Sequence, residues 1–298
     1  MNRQKTVEWQ VAGHCNYDCT YCIQKPSSRI GRPDGDAVAS FLDFFERLPG
    51  RWEIKMTGGE PFAFKDFLNA IVPGLIARTP HTLSVLTNLS APLPSLLRFA
   101  TLTHGRLGIV SASLHLETVT AAEFADKAAA FRDSLAPSGR FVVNSVLVPG
   151  RLDAVLAARD VLAARGLRLF PQLMKVGGGL ATYGDAEQGA LRELLGDAPG
   201  PERANVSPSY FGRRCWTGVD YFVLLQDGDA WSCRTARRHR DGYLGNALAG
   251  TFALGTEARR CPWAICPCTV PANRGMIEGV GAAASVPDHR ATFEVATR

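Results

Sequence analysis

The sequence predicts an α/β protein: a partial (β/α)6 TIM-like barrel followed by a small cysteine-rich domain. Three observations carry this prediction. Short apolar runs alternate with longer helix-periodic segments from residue 6 to about residue 195. Near residue 197 the texture changes to a stretch rich in Gly, Pro and Ser, "GDAPGPERANVSPS". Five of the eight cysteines then fall in the last third of the chain.

Strands are expected at 6–12 (TVEWQVA), 52–57, 82–87, 107–114, 140–148 and 167–174. Helices are expected at 35–48, 64–77, 93–101, 120–135, 152–165 and 186–195. The first helix is read from Val38, Phe41, Leu42, Phe45 and Leu48, which recur at helical spacing. The fifth ends on Gly166, a suitable C-cap. Six strands, each followed by a helix, imply a parallel sheet with right-handed crossovers. A complete eight-unit barrel takes about 250 residues, so six units in this span leave the barrel incomplete. Chemistry in such folds sits at the C-terminal ends of the strands. The expected organisation is a barrel at 1–197, a cysteine-rich domain at 198–270 and a tail at 271–298 without a legible motif. Inside the second unit, "YFVLLQDGDAWSC" reads as a hairpin turning at Asp227-Gly228.

Of the 298 residues, 46% are hydrophobic and 20% charged, the balance of ordinary globular material. No apolar run approaches the roughly 20 residues of a membrane helix. The opening "MNRQKTVEWQ" lacks the apolar core of a signal peptide. These features predict a cytoplasmic protein, where eight cysteines point to metal or catalysis rather than disulfides. A net charge of +5 is too mild to indicate nucleic acid. The dense basic run "RTARRHR" contains Arg234, Arg237, Arg238, His239 and Arg240. It reads either as a solvated loop or as a patch for an anionic substrate or an acidic electron donor.

The loop after the first strand carries Cys15-x3-Cys19-x2-Cys22, three thiolates within eight residues. Structural zinc and cubane iron–sulfur clusters both take four ligands. No fourth cysteine or well-spaced histidine follows in this loop, and His14 directly adjoins Cys15. A position left open on the metal would be free to bind something else. "MTGGEP" (56–61) ends the second strand on the same face. Gly58 and Gly59 allow close backbone approach, and Glu60 places a carboxylate beside exposed carbonyls, a setting suited to a positive amino group.

With CxxxCxxC after the first strand and GGEP after the second, residues 6–195 resemble the radical S-adenosylmethionine (SAM) enzymes. The resemblance implies that Cys15, Cys19 and Cys22 hold a 4Fe–4S cluster whose fourth iron is chelated by SAM. It also implies reductive cleavage of SAM to a 5′-deoxyadenosyl radical that takes a hydrogen atom from substrate. Tyr21 matches the aromatic position near the adenine, and Gly58, Gly59, Glu60 and Pro61 match the amino-group motif. Asn88 and Asn144 fall where related enzymes contact the SAM ribose or carboxylate, although Asn88 also reads as a turn residue. In "SASLHLE", Ser111, Ser113, His115 and Glu117 alternate with Ala112, Leu114 and Leu116 and so share one strand face. Ser113 and His115 are then placed to reach SAM or substrate, or to form a polar network. The glycines at 177–179 read as a flexible loop or as a place where backbone comes near SAM.

The later cysteines are spaced Cys215-x17-Cys233-x27-Cys261-x4-Cys266-x-Cys268, with Gly245-Asn246 between them. This order resembles the auxiliary-cluster region of the twitch and SPASM branch. Five cysteines can fully ligate one 4Fe–4S cluster, as in twitch proteins. Cys215 and Cys233 are the expected ligands, with two of Cys261, Cys266 and Cys268 completing the set. The spare thiol is either structural or a hydrogen donor for epimerisation, and zinc is the alternative for the whole set. An auxiliary cluster implies oxidation (dehydrogenation) or epimerisation of a sugar- or cyclitol-like natural-product intermediate. The alternatives are radical modification of a ribosomal peptide, or a non-catalytic zinc or iron–sulfur binding protein. The fourteen residues before Cys15 leave no room for a fused peptide-recognition domain, which favours the small substrate. His115, Glu117 and Lys175 are candidate catalytic bases. The expected partners are a small-molecule or peptide substrate and an acidic electron donor such as flavodoxin or ferredoxin, with no nucleic acid and no membrane.

Overall fold

The computed structural model describes residues 3–24, 31–177, 179–196, 209–263, 266 and 269–279. Six strands, β1 (Thr6–Ala12), β2 (Glu53–Gly58), β3 (Thr82–Thr87), β4 (Leu107–Leu114), β5 (Arg140–Leu147) and β6 (Leu169–Leu173), lie side by side in chain order. Every neighbouring pair among them is parallel. The connecting helices are α1 (Gly35–Arg47), α2 (Val72–Arg78), α3 (Leu93–Thr103), α4 (Ala121–Asp133) and α5 (Leu152–Ala163), with α6 (Gln188–Leu195) after β6. The partial α/β barrel read from the sequence is therefore present.

Local chemistry explains where the helices begin. Asp34 caps α1 by accepting the Ala37 N–H at 2.8 Å. Thr120 and Glu123 form a capping box at the start of α4. The segment expected as one helix over 64–77 is broken instead. It opens with a 3-10 turn at Pro61–Ala63, passes through a π turn at Phe67–Ile71 and becomes α-helical only in α2. Pro73 sits in the first turn of α2 and has no N–H to donate backwards, so the regular ladder cannot run through it.

The strands obey a period of two. In β1, Val7, Trp9 and Val11 are fully buried in the main hydrophobic core under the helices. Trp9 packs on Phe41 and Phe45 of α1, at ring-centroid distances of 5.0 and 4.9 Å. Glu8 and Gln10, on the other face, line the barrel interior.

Beyond residue 209 the chain returns to the barrel. Strand β7 (Tyr221–Leu224) pairs in parallel with the outer edge of β1, from Thr6 opposite Tyr221 to Trp9 opposite Leu224. Strands β8 (Asp229–Trp231) and β9 (Tyr243–Asn246) follow in antiparallel order. The sheet order is β9-β8-β7-β1-β2-β3-β4-β5-β6. The expected hairpin is the β7–β8 pair. Gly228 adopts φ +88° at its turn and donates its N–H to the Leu225 carbonyl. The cysteine-rich segment thus extends the barrel's own sheet, and Tyr210, Met276 and Ile277 pack around Cys215, Cys261 and Cys266 in a second core.

Buried charge ties the two regions. Arg274, just after the short helix α8 (Val270–Asn273), donates to Glu53 of β2 through Nε at 2.5 Å and Nη2 at 2.8 Å. Arg234, in α7 (Arg234–Arg238), pairs with Glu8 of β1 at 2.9 Å. Arg3 pairs with Asp220 at 2.5 Å. The basic run read as a loop thus begins as a short helix, with the Cys233 sulfur accepting the Ala236 N–H at its N-terminus. Residues 197–208, which hold most of the expected linker, and the tail from 280 onward lie outside the described residues. No helix among the described residues is long and apolar enough to cross a membrane.

Candidate active site

A cavity of about 750 Å³ occupies the barrel interior. Its lining includes Cys15, Cys19 and Cys22 at the C-terminal ends of the strands, together with Gly58, Gly59 and Glu60. The two sequence motifs therefore meet on one chamber.

Their junction is built backbone to backbone. Gly59 donates its N–H to the Ala12 carbonyl and Glu60 donates its own to the His14 carbonyl, both at 2.9 Å. A Cβ on Gly58 would collide with the Ala12 carbonyl, and one on Gly59 with the His14 carbonyl. Gly58 also takes φ +142°. The glycines are needed so that the end of β2 can press against the start of the cysteine loop.

Glu60 is 1% exposed. Its carboxylate accepts the Asn88 N–H at 2.6 Å, the Thr87 hydroxyl at 2.8 Å and the Phe62 N–H at 3.1 Å. Burial pushes its pKa up to about 7 against those three donors. No cation pairs with it among the described residues, so the site carries a buried carboxyl lacking a positive neighbour. Asn88 is likewise tied to the loops: its side chain donates to Asn16 at 3.1 Å and accepts the Ser90 N–H at 2.9 Å.

The cysteine loop is held from β4. Tyr21 is buried, and its hydroxyl lies 2.8 Å from His115 Nδ1 with the two rings stacked at 5.9 Å. Tyr17 meets the same imidazole edge-on. Burial draws the His115 pKa down to about 4, so the ring is neutral at pH 7. Glu117 accepts the Thr20 N–H at 2.9 Å and the Thr20 hydroxyl at 2.6 Å, and pairs with Arg151 at 3.0 Å. Ser111, Ser113 and His115 line the chamber, whereas Glu117 does not. Strand β4 ends at Leu114, and His115 then accepts two turn bonds from Thr118 and Val119, so the period of two does not carry to Glu117.

Asn144 of β5 lies opposite Ser113 of β4, is 6% exposed, and its buried amide nitrogen has no hydrogen-bond partner among the described residues. An unsatisfied donor of this kind suits a polar ligand group in the chamber. Lys175, in the two-residue strand after β6, lines the same space. Sequence reasoning missed the opposite wall. There Glu8, Lys55 and Arg234 form an ion-pair group, with Lys55 Nζ 3.8 Å from Glu8 and the Tyr221 hydroxyl donating to the same carboxylate. Burial alone would raise Glu8, but Arg234, Lys55 and the Tyr221 hydroxyl hold its pKa down to about 2. The readable signal was Glu8 and Gln10 alternating with Val7, Trp9 and Val11 in one strand.

The second cysteine set also converges. Cys215, Cys233, Cys261 and Cys266 line one small pocket with Thr217, Arg259 and Trp263. Cys268 lies outside the described residues. Arg234 lines both this pocket and the barrel chamber. Among the described residues no three Cys, His, Asp or Glu side chains are grouped tightly enough for a single metal ion. Each cysteine set is sulfur-only and faces a cavity, the donor chemistry that iron–sulfur clusters take.

Comparison with known proteins locates this arrangement. The chain superposes on anSMEcpe with bound S-adenosylmethionine at a TM-score of 0.59, with 15% identity, over 82% of this chain and 78% of that one. It superposes on Streptococcus suis SuiB bound to S-adenosylmethionine at 0.58, with 13% identity, over 83% of this chain and 64% of that one. A further SuiB structure, bound to precursor peptide SuiA, superposes at 0.54 with 13% identity, over 83% of this chain and 63% of that one. In sequence, 80 residues are 32% identical to a GTP 3′,8-cyclase of Shewanella denitrificans, covering 26% of this chain. A further 39% identity over 84 residues links 25% of this chain to the GTP 3′,8-cyclase of Yersinia pestis. Each match spans 23% of the cyclase's length. No protein-family model matches the chain. The fold is the one shared by anSMEcpe and SuiB, both solved with S-adenosylmethionine bound.

Proposed function

We propose that the protein is a radical SAM enzyme whose substrate occupies the barrel chamber between the two cysteine sets. The observation that carries this reading is the meeting of CxxxCxxC and GGEP on one cavity, keyed by the Gly59–Ala12 and Glu60–His14 backbone bonds. A 4Fe–4S cluster on Cys15, Cys19 and Cys22, with SAM bound, would supply a 5′-deoxyadenosyl radical able to take a hydrogen atom from substrate. The chain's own residues do the rest. Glu60, buried without a cation, favours a positive amino group beside it. Tyr21 and Tyr17 pack on His115 and hold the loop. Glu117 acts as a positioning residue through Thr20, not as a base. Asn144 offers an unpaired amide to a ligand, with Ser113 opposite it. Cys215, Cys233, Cys261 and Cys266 would hold an auxiliary cluster, whose value is acceptance of one electron from a substrate radical. His115, neutral at pH 7, and Lys175 are the bases that face the chamber.

This supports oxidation or epimerisation of a small polar molecule, since charged and hydroxyl side chains line the chamber and suit a sugar- or cyclitol-like substrate. A peptide substrate is the second reading, favoured by the likeness in fold to SuiB bound to its precursor peptide. An acidic electron donor such as flavodoxin or ferredoxin would supply the reducing electron. Anaerobic reconstitution followed by a SAM-cleavage assay is the test. We expect reduced protein to release 5′-deoxyadenosine and the Cys15→Ala variant to release none. Undiminished release by Cys15→Ala would remove the cluster assignment.

A further inference from the structure

The fold divides the basic run. Arg237, Arg238, His239 and Arg240 are all exposed, and His239 stacks on Trp263 at 4.1 Å. Within the run only Arg234, which is half-buried, and Arg237 also line the barrel chamber. Arg234 is answered by Glu8 at 2.9 Å. Arg237 has no such answer: no carboxylate pairs with its guanidinium among the described residues. Its charged neighbours are Arg234, of like sign, and Asp227 and Asp229, which act on it from beyond pairing distance. Asp229 is already engaged, accepting the Tyr243 hydroxyl at 2.9 Å and the Asn246 amide at 3.0 Å.

The imbalance extends around the chamber. Seven Lys and Arg side chains line it against two carboxylates, Glu8 and Glu60. Glu8 serves Lys55 and Arg234 together, and Arg274 is matched by Glu53 from the barrel wall. Arg140, at the start of β5, faces the same space and has no carboxylate partner among the described residues. A cation at the chamber wall without a counter-charge attracts an arriving anion. A guanidinium fork matches phosphate and carboxylate alike, and its attraction is strengthened where water is thin.

We infer that the substrate carries a fixed anionic group, a phosphate or a carboxylate, and that Arg237 anchors it in the chamber. This rests on the reading of the chamber as the substrate site. Since the neighbouring Arg234 also lines the auxiliary-cysteine pocket, the anchor lies on that side of the chamber.

The test reads binding without turnover. Reconstituted protein saturated with S-adenosylhomocysteine is titrated calorimetrically, at fixed ionic strength, with glucose 6-phosphate, N-acetylglutamate and glucose. The first two arms separate phosphate from carboxylate, and glucose is the uncharged control. One anion is expected to bind and glucose is not. Arg237→Gln should weaken that binding roughly tenfold or more, and Arg237→Lys, which keeps charge without the fork, severalfold. Arg238→Gln, outside the chamber lining, should leave it unchanged. Iron content and melting temperature of each variant identify a folding defect, and Arg237→Lys carries the test if the Gln variant has one. Equal binding of glucose and the anions, no anion binding below about 10 mM, or wild-type affinity in both Arg237 variants would overturn the inference. Failure of the protein to cleave SAM would defeat the enzyme reading instead and leave these titrations interpretable.

Discussion

The Glu8 carboxylate shows what single residues contribute inside the barrel. It is 3% exposed and shared by Lys55, Arg234 and the Tyr221 hydroxyl. Its pKa falls from 4.5 unfolded to about 2 folded, so it stabilises the fold above pH 4.5, and that contribution is lost as pH drops toward 2. Glu8→Gln should cost about 2–4 kcal/mol at pH 7, discounted for the partial exposure of Arg234. Urea unfolding of both proteins from pH 7 to pH 2.5 checks this, with the gap between them closing on the acid side. The cysteine loop and GGEP were legible in the sequence because each motif lies within a few consecutive residues. Glu8 and Arg234 were not, because 226 positions separate them and nothing local marks the pair. Glu117 was misplaced for a different reason: an alternating pattern was carried past Leu114, where the strand stops and a turn begins.

At the scale of elements, the six barrel strands were legible because each alternates or runs apolar between turn signals. The parallel pairing of β7 with β1 was not, since a four-residue apolar strand carries no mark of its neighbour. The broken segment before α2 needed the weight of Pro73, which helical periodicity alone overlooks. The element junction that matters most to the site is β2 against the cysteine loop. Gly59→Ala forces a methyl group into the His14 carbonyl and separates the two motifs. We expect this variant to load less iron on Cys15, Cys19 and Cys22 while melting only modestly earlier. Iron and sulfide per chain, measured in a background lacking Cys215 and Cys233, would read that loss directly.

At the scale of the molecule, the cysteine-rich segment is structurally part of the barrel. It supplies the strand beside β1, the Arg274 fork on Glu53 and the Arg234 partner of Glu8. Ending the chain at residue 197 should therefore strip Glu53 of Arg274, leave Glu8 with Lys55 alone and expose an unpaired strand edge. We expect that fragment to aggregate or to show no cooperative melting transition, and soluble yield with calorimetry would detect it. A fragment that melts like the whole protein would mean the barrel closes without these partners. The same long-range pairing also sets an order in time. A ribosome makes β1 and the first cysteine loop early, yet Arg274 emerges 221 residues after Glu53. At about 5–20 residues per second, the nascent barrel waits on the order of ten to forty seconds with Glu53 lacking Arg274. During most of that interval Cys15, Cys19 and Cys22 are already made while β7, the outer neighbour of β1, is not, which gives iron–sulfur assembly factors a window on the growing chain.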